Sequence, residues 1–257
     1  MEIVLTIAGS DPSGGAGIQQ DLRTIESLGC YGASVITALT TQNTLGVQSV
    51  MPVPADVVRS QLEAVLSDLD VKAIKIGQIP SADVAHAIAE TLSHHLTPIT
   101  HHPIILDPVM ISTSGRRLMS EDAIDVVVSE LFPLCTLITP NIPEMETLSG
   151  LSGFNACNYN ILIKGGHAEG KEMADRLCLA NGTERVYVTE KIESTNLHGT
   201  GCALSSAIAS SLALGYSLED AVARGKDYVT KAIRGGRDLG VGHGNGPVFY
   251  KRIDNNE

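Results

Sequence analysis

The sequence has few aromatic residues and no long apolar run. Among its 257 residues there is no Trp and there are only three Phe, so a row of aromatic side chains that stacks on nucleic-acid bases is not expected. No apolar segment reaches membrane-spanning length, and residues 2–8 have the pattern of a strand rather than of a secretion signal. We therefore expect no membrane partner and predict a cytoplasmic protein.

Paired cysteines and positive charge are also scarce. The five cysteines are an odd number without a C-x-x-C spacing, which argues against a zinc ribbon and against a disulfide framework. The net charge of −11 disfavours nucleic acid and anionic membranes as partners. With 43% hydrophobic residues the chain can bury a full core. We find no repeat or linker and predict one domain over residues 1–257.

Short β-branched runs alternate with segments of helical periodicity, which indicates an α/β fold with a mainly parallel sheet. The predicted strands are residues 3–7, 34–39, 73–76, 104–106, 137–138 and 161–163. The predicted helices are residues 18–28, 56–67, 83–92, 120–131, 201–214 and 218–233, with Ser120 as a candidate N-cap. A closed eightfold barrel is the alternative, disfavoured because the last two helices follow each other directly. Asn181 and Gly182 predict a hairpin turn between residues 177 and 191.

The most informative motif lies at residues 197–206, where a glycine-flanked turn opens a helix of small residues. Its backbone N–H groups at Gly199, Thr200, Gly201 and Cys202 can converge on one point, and the helix dipole adds positive charge there. Such a terminus is typical of a site for phosphate or for a phosphoryl-transfer transition state. We expect the pKa of the Cys202 thiol to be lowered, as suits a proton acceptor. The alternative is an ordinary capped helix with an inert cysteine.

Two further strand ends carry candidate binding residues for a flat ring. The glycine-rich loop at residues 8–17 matches neither a P-loop nor a dinucleotide fingerprint, but it lets a ligand approach the backbone. Asp21, on the following helix, can point into the same crevice or be a solvated residue. Gln42 has the donor and acceptor needed to bind an aminopyrimidine edge bidentately, although a surface amide is equally consistent with its position.

Charged residues follow three other predicted strands. Asp107 and Glu144 lie at neighbouring strand ends, an arrangement that suits Mg²⁺ held largely through waters and phosphate oxygens. Asn141 lies at the same edge. Lys164, followed by glycines, can reach a polyphosphate as a point charge. The alternatives are a Glu144 that favours a helix N-terminus and a solvent-facing Lys164.

Two charged clusters are interpreted as solvated surface. The histidines 94, 95, 101 and 102 flank Pro98 and Pro103 in a connection, with no carboxylate or thiol between them, so a metal site is not expected there. Lys226 and Asp227 fit the exposed face of a helix.

Taken in order, these motifs resemble those of the hydroxymethylpyrimidine/phosphomethylpyrimidine kinases of thiamine biosynthesis, which have the ribokinase-like fold. The resemblance covers about residues 3–246. Its motifs are residues 6–19, 41–44, 106–110, 139–144, 164–167 and 198–202.

This resemblance implies a three-layer α/β/α kinase, usually a homodimer. The implied reaction is ATP-dependent phosphorylation of 4-amino-5-hydroxymethyl-2-methylpyrimidine to its monophosphate and then to its diphosphate. The implied ring-binding residues are Gln42, Gly9, Ala16, Asp21, Val109 and Gln78. The implied phosphate and magnesium residues are Lys164 and Asn141 for ATP, and Asp107 and Glu144 for Mg²⁺. Residues 199–202 form the implied anion hole, with Cys202 as the base.

The chain departs from the family pattern at three places. Gln78 stands where Met is usual, and Thr113 where Lys is common. The segment between residues 150 and 161 is short, so the crossover there is predicted to be a bare loop. The alternatives to this function are a pyridoxal or pyridoxine kinase of the same fold and a non-catalytic binder of thiamine precursors.

Overall fold

The computed structural model describes residues 1–95, 102–112, 115–165 and 172–249, built around one nine-stranded sheet. Its strands are β1 Ile3–Ser10, β2 Tyr31–Asn43, β3 Gly46–Pro52, β4 Val71–Ile76, β5 Ile104–Leu106, β6 Leu137–Ile138, β7 Ile161–Ile163, β8 Glu172–Cys178 and β9 Glu184–Glu190. They lie in the order β3-β2-β1-β4-β5-β6-β7-β8-β9. The six strands from β2 to β7 in this order are parallel, and β3, β8 and β9 are antiparallel to their neighbours.

Seven α-helices cover the two faces of the sheet in the part of the chain that the structure describes. They are α1 Gly17–Ser27, α2 Ala55–Asp68, α3 Ala82–His95, α4 Glu121–Val126, α5 Ile142–Ser149, α6 Thr200–Ala213 and α7 Leu218–Gly236. The predicted mainly parallel α/β sheet and the hairpin at Gly182, whose φ is 85°, are confirmed.

Alternate residues of the central strands enter two separate apolar clusters. Ile104 and Leu106 pack with residues of α2, α3 and α4, whereas Ile105, between them, packs with residues of α1, α6 and α7. Successive strand side chains point to opposite faces of a sheet, so each cluster belongs to one face. The predicted three layers are therefore confirmed.

Local structure differs from the sequence-based prediction in three places. Strand β3 was not predicted. The predicted helix at residues 120–131 is α-helical only to Val126 and continues as a π-helical segment, Val127–Leu131, and a 3₁₀ turn, Phe132–Leu134. Ser120 does precede this helix, but its side chain makes no capping hydrogen bond and its Oγ is buried without a partner.

The short crossover between α5 and β7 contains only a 3₁₀ turn, Ala156–Asn158, so the predicted lack of a second helix is confirmed. One face of the sheet edge is consequently open. Val186 and Val188 of β9 are exposed, and a groove of about 730 Å³ lies between α5 and strands β7 to β9.

Candidate active site

The carboxyl ends of the parallel strands open into a cavity of about 420 Å³. Ligands of open α/β sheets bind at such ends. The predicted site residues that line the cavity are Gly9, Ala16, Gln42, Gln78, Asp107, Val109, Asn141, Glu144, Lys164, Gly199, Thr200, Gly201 and Cys202. Residues far apart in the chain are thus brought to one place by the crossover connections.

Helix α6 points its N-terminus into this cavity. Gly199 is the N-cap residue and has φ 82°, a left-handed conformation that favours glycine. A Cβ at Gly199 would overlap the carbonyl oxygen of Gly15, so the glycine-rich loop packs directly on this terminus. The Thr200 hydroxyl donates to the Leu197 carbonyl at 2.6 Å and closes the turn. The positive end of the α6 dipole therefore faces the cavity.

Cys202 is the third residue of α6 and is partly exposed to the cavity. The expected lowering of its pKa is wrong. Burial raises the pKa of the thiol to about 11; the Lys75 cation lowers it, but Asp21 and Asp107 raise it further. The thiol is therefore protonated at neutral pH in the free protein.

Asp21 does not line the cavity, contrary to the prediction that it contributes to ring binding. Its side chain is completely buried behind the cavity wall, where Asp21 Oδ2 accepts from Lys75 Nζ at 2.7 Å and from the Thr6 hydroxyl at 2.6 Å. Its other oxygen accepts from the Ser206 hydroxyl at 2.8 Å. A carboxylate with all these partners is satisfied inside the protein, so Asp21 joins α1 to β4 and α6.

Lys75 was missed as a functional candidate because it lies inside the predicted strand at residues 73–76. Its side chain has no solvent exposure. Burial alone would lower the pKa of Lys75, but Asp21 raises it overall and the ammonium group stays charged. A lysine within an apolar strand was the available signal, because such a cation needs a buried acid.

A lysine and two acids lie together at the ends of β5, β6 and β7. Lys164 Nζ is 2.6 Å from Asp107 Oδ1 and 4.0 Å from Glu144 Oε2. A Cβ at Gly201 would be 3.0 Å from Asp107 Oδ2 and 3.5 Å from Lys164 Nζ. This group therefore directly adjoins the first turn of α6, and Lys164 is not solvent-facing.

Asn141 and Glu144 form a reciprocal cap at the start of α5. The Glu144 backbone N–H donates to Asn141 Oδ1, and the Asn141 backbone N–H donates to Glu144 Oε2, both at 2.8 Å. Burial raises the pKa of Glu144 to about 7; Lys164 lowers it and Asp107 raises it. Glu144 therefore both caps α5 and lies close to Lys164.

Three side chains connect the glycine-rich loop to β2 and to the turn before α6. His198 Nε2 lies 2.8 Å from Asp11 Oδ2 and 2.9 Å from Gln42 Nε2. Asp11 also accepts from backbone N–H groups of Ser13 and Ala16. His198 and Asp11 were not predicted as site residues; their positions inside two of the glycine motifs were the only signal.

The cavity lining also includes Lys226, which was wrongly interpreted as solvated surface. Lys226 is 8% exposed and its Nζ donates to Asp175 Oδ2, while the other oxygen of Asp175 accepts from the Gly165 N–H at 2.8 Å. Asp227, one residue on, is exposed as expected.

Within the described ranges, no three His, Cys, Asp or Glu side chains converge as metal ligands would. His94 and His95 form the last turn of α3 rather than a loop. Pro98, His101, Thr113, Gly166 and His167, which the sequence motifs include, lie outside the described residues. In the same described part of the chain, no helix is long and apolar enough to cross a bilayer.

Together, a three-layer fold and a cavity that combines a helix N-terminus with a lysine and two acids define a kinase of the ribokinase-like class. The sequence model of the phosphomethylpyrimidine kinase family matches residues 11–249. The chain belongs to this family.

Individual relatives agree with this assignment. The chain is 43% identical to a hydroxymethylpyrimidine/phosphomethylpyrimidine kinase of Rhizobium meliloti, with 96% of each chain covered. It is 44% identical to a thiamine biosynthesis bifunctional protein of Geobacter sulfurreducens, with 94% of this chain and 51% of that protein covered.

Solved structures show the same fold. The crystal structure of phosphomethylpyrimidine kinase from Clostridium difficile 630 has a TM-score of 0.75 at 40% identity, covering 91% of this chain and 100% of that one. An ADP complex of Bacillus subtilis pyridoxal kinase has a TM-score of 0.85 at 29% identity, covering 97% of each chain. The chain is thus a kinase, and one of its structural relatives, a pyridoxal kinase, binds ADP.

Proposed function

We propose that this protein transfers phosphate from ATP to 4-amino-5-hydroxymethyl-2-methylpyrimidine and then to the resulting monophosphate, in thiamine biosynthesis. The observation that carries the proposal is one cavity that joins two amide side chains, Gln42 and Gln78, to the N-terminus of α6. The names and the full-length similarity of the relatives support the same reaction.

The amide end of the cavity suits a flat, partly polar ring. Gln42 offers a donor and an acceptor to an aminopyrimidine edge, and its side chain lies 2.9 Å from His198 Nε2 and 3.2 Å from the Thr40 hydroxyl. Gly9, Ala16 and Val109 supply the walls with little side-chain volume. We assign ring binding to these residues and not to Asp21.

The charged end of the cavity suits the phosphates of ATP. Lys164 can bind a phosphate oxygen as a point charge, beside the first turn of α6, where a Cβ at Gly201 would be 3.5 Å from Lys164 Nζ. Burial lowers the pKa of Lys164, but Asp107 and Glu144 raise it overall, so the lysine remains a cation. Asn141 lines the same end of the cavity.

Asp107 and Glu144 fit a role in holding Mg²⁺ together with ATP. Two oxygen donors at one edge are too few for a complete cage, but Mg²⁺ commonly takes one or two carboxylates and completes its shell with waters and phosphates. When bound, the ion would neutralise charge on the transferred phosphoryl group. Lys164, which pairs with Asp107 Oδ1 at 2.6 Å, lies at the same edge as these two carboxylates.

Cys202 is our candidate for the proton acceptor of the substrate hydroxyl. It lines the cavity in the first turn of α6, beside the N–H groups that would bind the transferred group. Its pKa of about 11 means that it acts only in the small ionised fraction, or after ligands change the local charge.

Pyridoxal kinase activity is the second candidate, because the solved pyridoxal kinase has the higher TM-score. The two functions differ in the ring that Gln42 and Gln78 must bind. ADP release measured with the pyrimidine alcohol, its monophosphate and pyridoxal as alternative acceptors separates them. We expect the highest kcat/KM with the pyrimidine alcohol. A higher value with pyridoxal favours the second candidate, and binding without ADP release indicates a non-catalytic binder.

We further propose a cytoplasmic homodimer in which residues 1–257 form one domain. The expected readout for the dimer is a sedimentation mass near twice the 27.1 kDa of the chain. A mass of one chain at micromolar concentration contradicts it.

A further inference from the structure

The amide nitrogen of Gln78 is a buried donor without a partner. In the part of the chain that the structure describes, three buried side-chain polar atoms have no hydrogen-bond partner: Gln78 Nε2, Ser120 Oγ and Thr139 Oγ1. Of these three residues, only Gln78 lines the cavity. A buried unpaired amide is costly and is usually explained by a ligand, a water or strain.

The position of Gln78 is fixed from two sides. Its backbone carbonyl accepts from the buried Thr37 hydroxyl at 2.6 Å. Its Oε1 packs so closely on Gly9 that a Cβ there would overlap it. The backbone of Gln78 is therefore anchored and its Oε1 packs against Gly9, while its Nε2 has no hydrogen-bond partner.

The second amide of the cavity is in a different state. The Thr40 hydroxyl, with one proton to donate, lies 3.0 Å from the Ser10 carbonyl and 3.2 Å from Gln42 Oε1, and Gln42 Nε2 lies 2.9 Å from His198 Nε2. A ligand must exchange these contacts to reach Gln42, whereas it gains a new hydrogen bond at Gln78. The two glutamines thus contribute differently to selectivity.

We propose that Gln78 is a specificity-determining residue whose Nε2 donates a hydrogen bond to a ring nitrogen of the pyrimidine that Gln42 does not bind. The inference rests on the proposed function and adds the chemical feature that the site selects: an acceptor atom in the plane of the ring. A ring that carries C–H at that position leaves the donor buried and unpaired, which is the strongest form of discrimination that a hydrogen-bonding site provides.

The test is calorimetric titration of the pyrimidine alcohol without nucleotide into the wild type, Gln78→Met and Gln78→Glu. Gln78→Met removes the donor at similar volume, and we expect its Kd to rise about tenfold. Gln78→Glu replaces the donor by an acceptor, and we expect a larger rise. The matched control is Gln61→Met on α2, which removes an amide bonded to the Ile36 backbone outside the cavity; its Kd should not change.

Two pyridine analogues, each with one ring nitrogen replaced by C–H, identify the acceptor. With one analogue, we expect the wild type to bind as weakly as Gln78→Met, with no further loss in the variant. Equal Kd values of the wild type and Gln78→Met for the pyrimidine overturn the inference. The inference is also overturned if Gln78→Met raises the Kd by the same factor, relative to the wild type, for the pyrimidine and for both analogues. Wild-type turnover of the pyrimidine distinguishes these results from failure of the proposed function, which is indicated by no turnover at all.

Discussion

At the scale of single residues, the motif around Cys202 predicts where the thiol lies but not how reactive it is. Its place in the first turn of a helix is readable from the glycines around it. The pKa of Cys202 could not be predicted from the motif, because this pKa depends on burial and on Asp21 and Asp107, which come from distant parts of the chain. The same applies to Lys75, whose buried partner is 54 positions away.

The raised pKa of Cys202 has a consequence for the pH dependence of the reaction. Below its pKa, the ionised fraction of a thiol grows tenfold with each pH unit. If Cys202 accepts the proton, kcat/KM should rise from about pH 7 towards pH 10. Cys202→Asp should remove most of this rise, because even a carboxyl whose pKa is raised to about 7, as that of Glu144 is, is ionised over most of the range. A wild-type profile that is flat from pH 7 to 10 is inconsistent with this role.

The ion pair between Lys75 and Asp21 should be important for stability. Lys75→Met leaves a buried carboxylate without its cation, and breaking such a pair costs about 3–5 kcal/mol of the free energy of unfolding. The check is urea unfolding of the variant and of Lys75→Met combined with Asp21→Asn, which should recover part of the loss.

The control for this ion pair is Arg59→Met. Arg59 forms a largely exposed pair with Glu90 at 2.8 Å, so we expect a change of less than about 1 kcal/mol. If Lys75→Met and Arg59→Met lower the free energy of unfolding equally, the buried pair of Lys75 and Asp21 is no more important for stability than an exposed one.

At the scale of elements, local pattern predicted most strands and helices but not their partners. Buried β-branched runs such as β5 and β7 have a strong signal. Strand β3 has none, because it is an edge strand whose residues are only partly buried and whose pairing depends on β2. The change to π-helical structure after Val126 likewise has no sequence signal that we could identify.

The N-terminus of α6 depends on the absence of a side chain at Gly199. Gly199→Ala adds a Cβ that overlaps the carbonyl oxygen of Gly15, at a φ of 82°. We expect kcat to fall more than about 100-fold, because the N–H groups that we propose to bind the transferred phosphate would move. Steady-state kinetics and circular dichroism of the variant measure this effect.

Gly215, beyond the other end of α6, provides the matched control. It has a similar φ of 88°, but no atom lies within 4 Å of a Cβ placed there. We expect Gly215→Ala to lower the free energy of unfolding by only about 1 kcal/mol, through backbone strain, and to leave kcat unchanged. If both variants keep wild-type activity, the packing of Gly199 on Gly15 has no role in catalysis.

At the scale of the whole molecule, the sheet joins two apolar clusters into one structure. Ile104 and Leu106 belong to one cluster and Ile105 to the other, so neither face can lose its packing without disturbing the same strands. We therefore expect a single cooperative unfolding transition. Far-ultraviolet circular dichroism and tyrosine fluorescence should give the same midpoint in urea. Two separate midpoints contradict a single domain.

The assembly of the site could be predicted only in outline. Placing Asp107, Glu144 and Lys164 at strand ends was sufficient to bring them together, because parallel strands end at one edge. The burial of Asp21 and the cavity position of Lys226 were not predictable in this way. Both depend on which helix face packs on the sheet.

The most direct measurement is mass spectrometric detection of products from ATP and the pyrimidine alcohol, with the wild type and Cys202→Ala in parallel. We expect the wild type to form the pyrimidine monophosphate and then the diphosphate. Cys202→Ala should bind nucleotide normally but form both products about 100-fold more slowly, the loss typical of a missing general base. No phosphorylated pyrimidine from the wild type contradicts the proposed function, and an unchanged rate in Cys202→Ala contradicts the assigned role of the thiol.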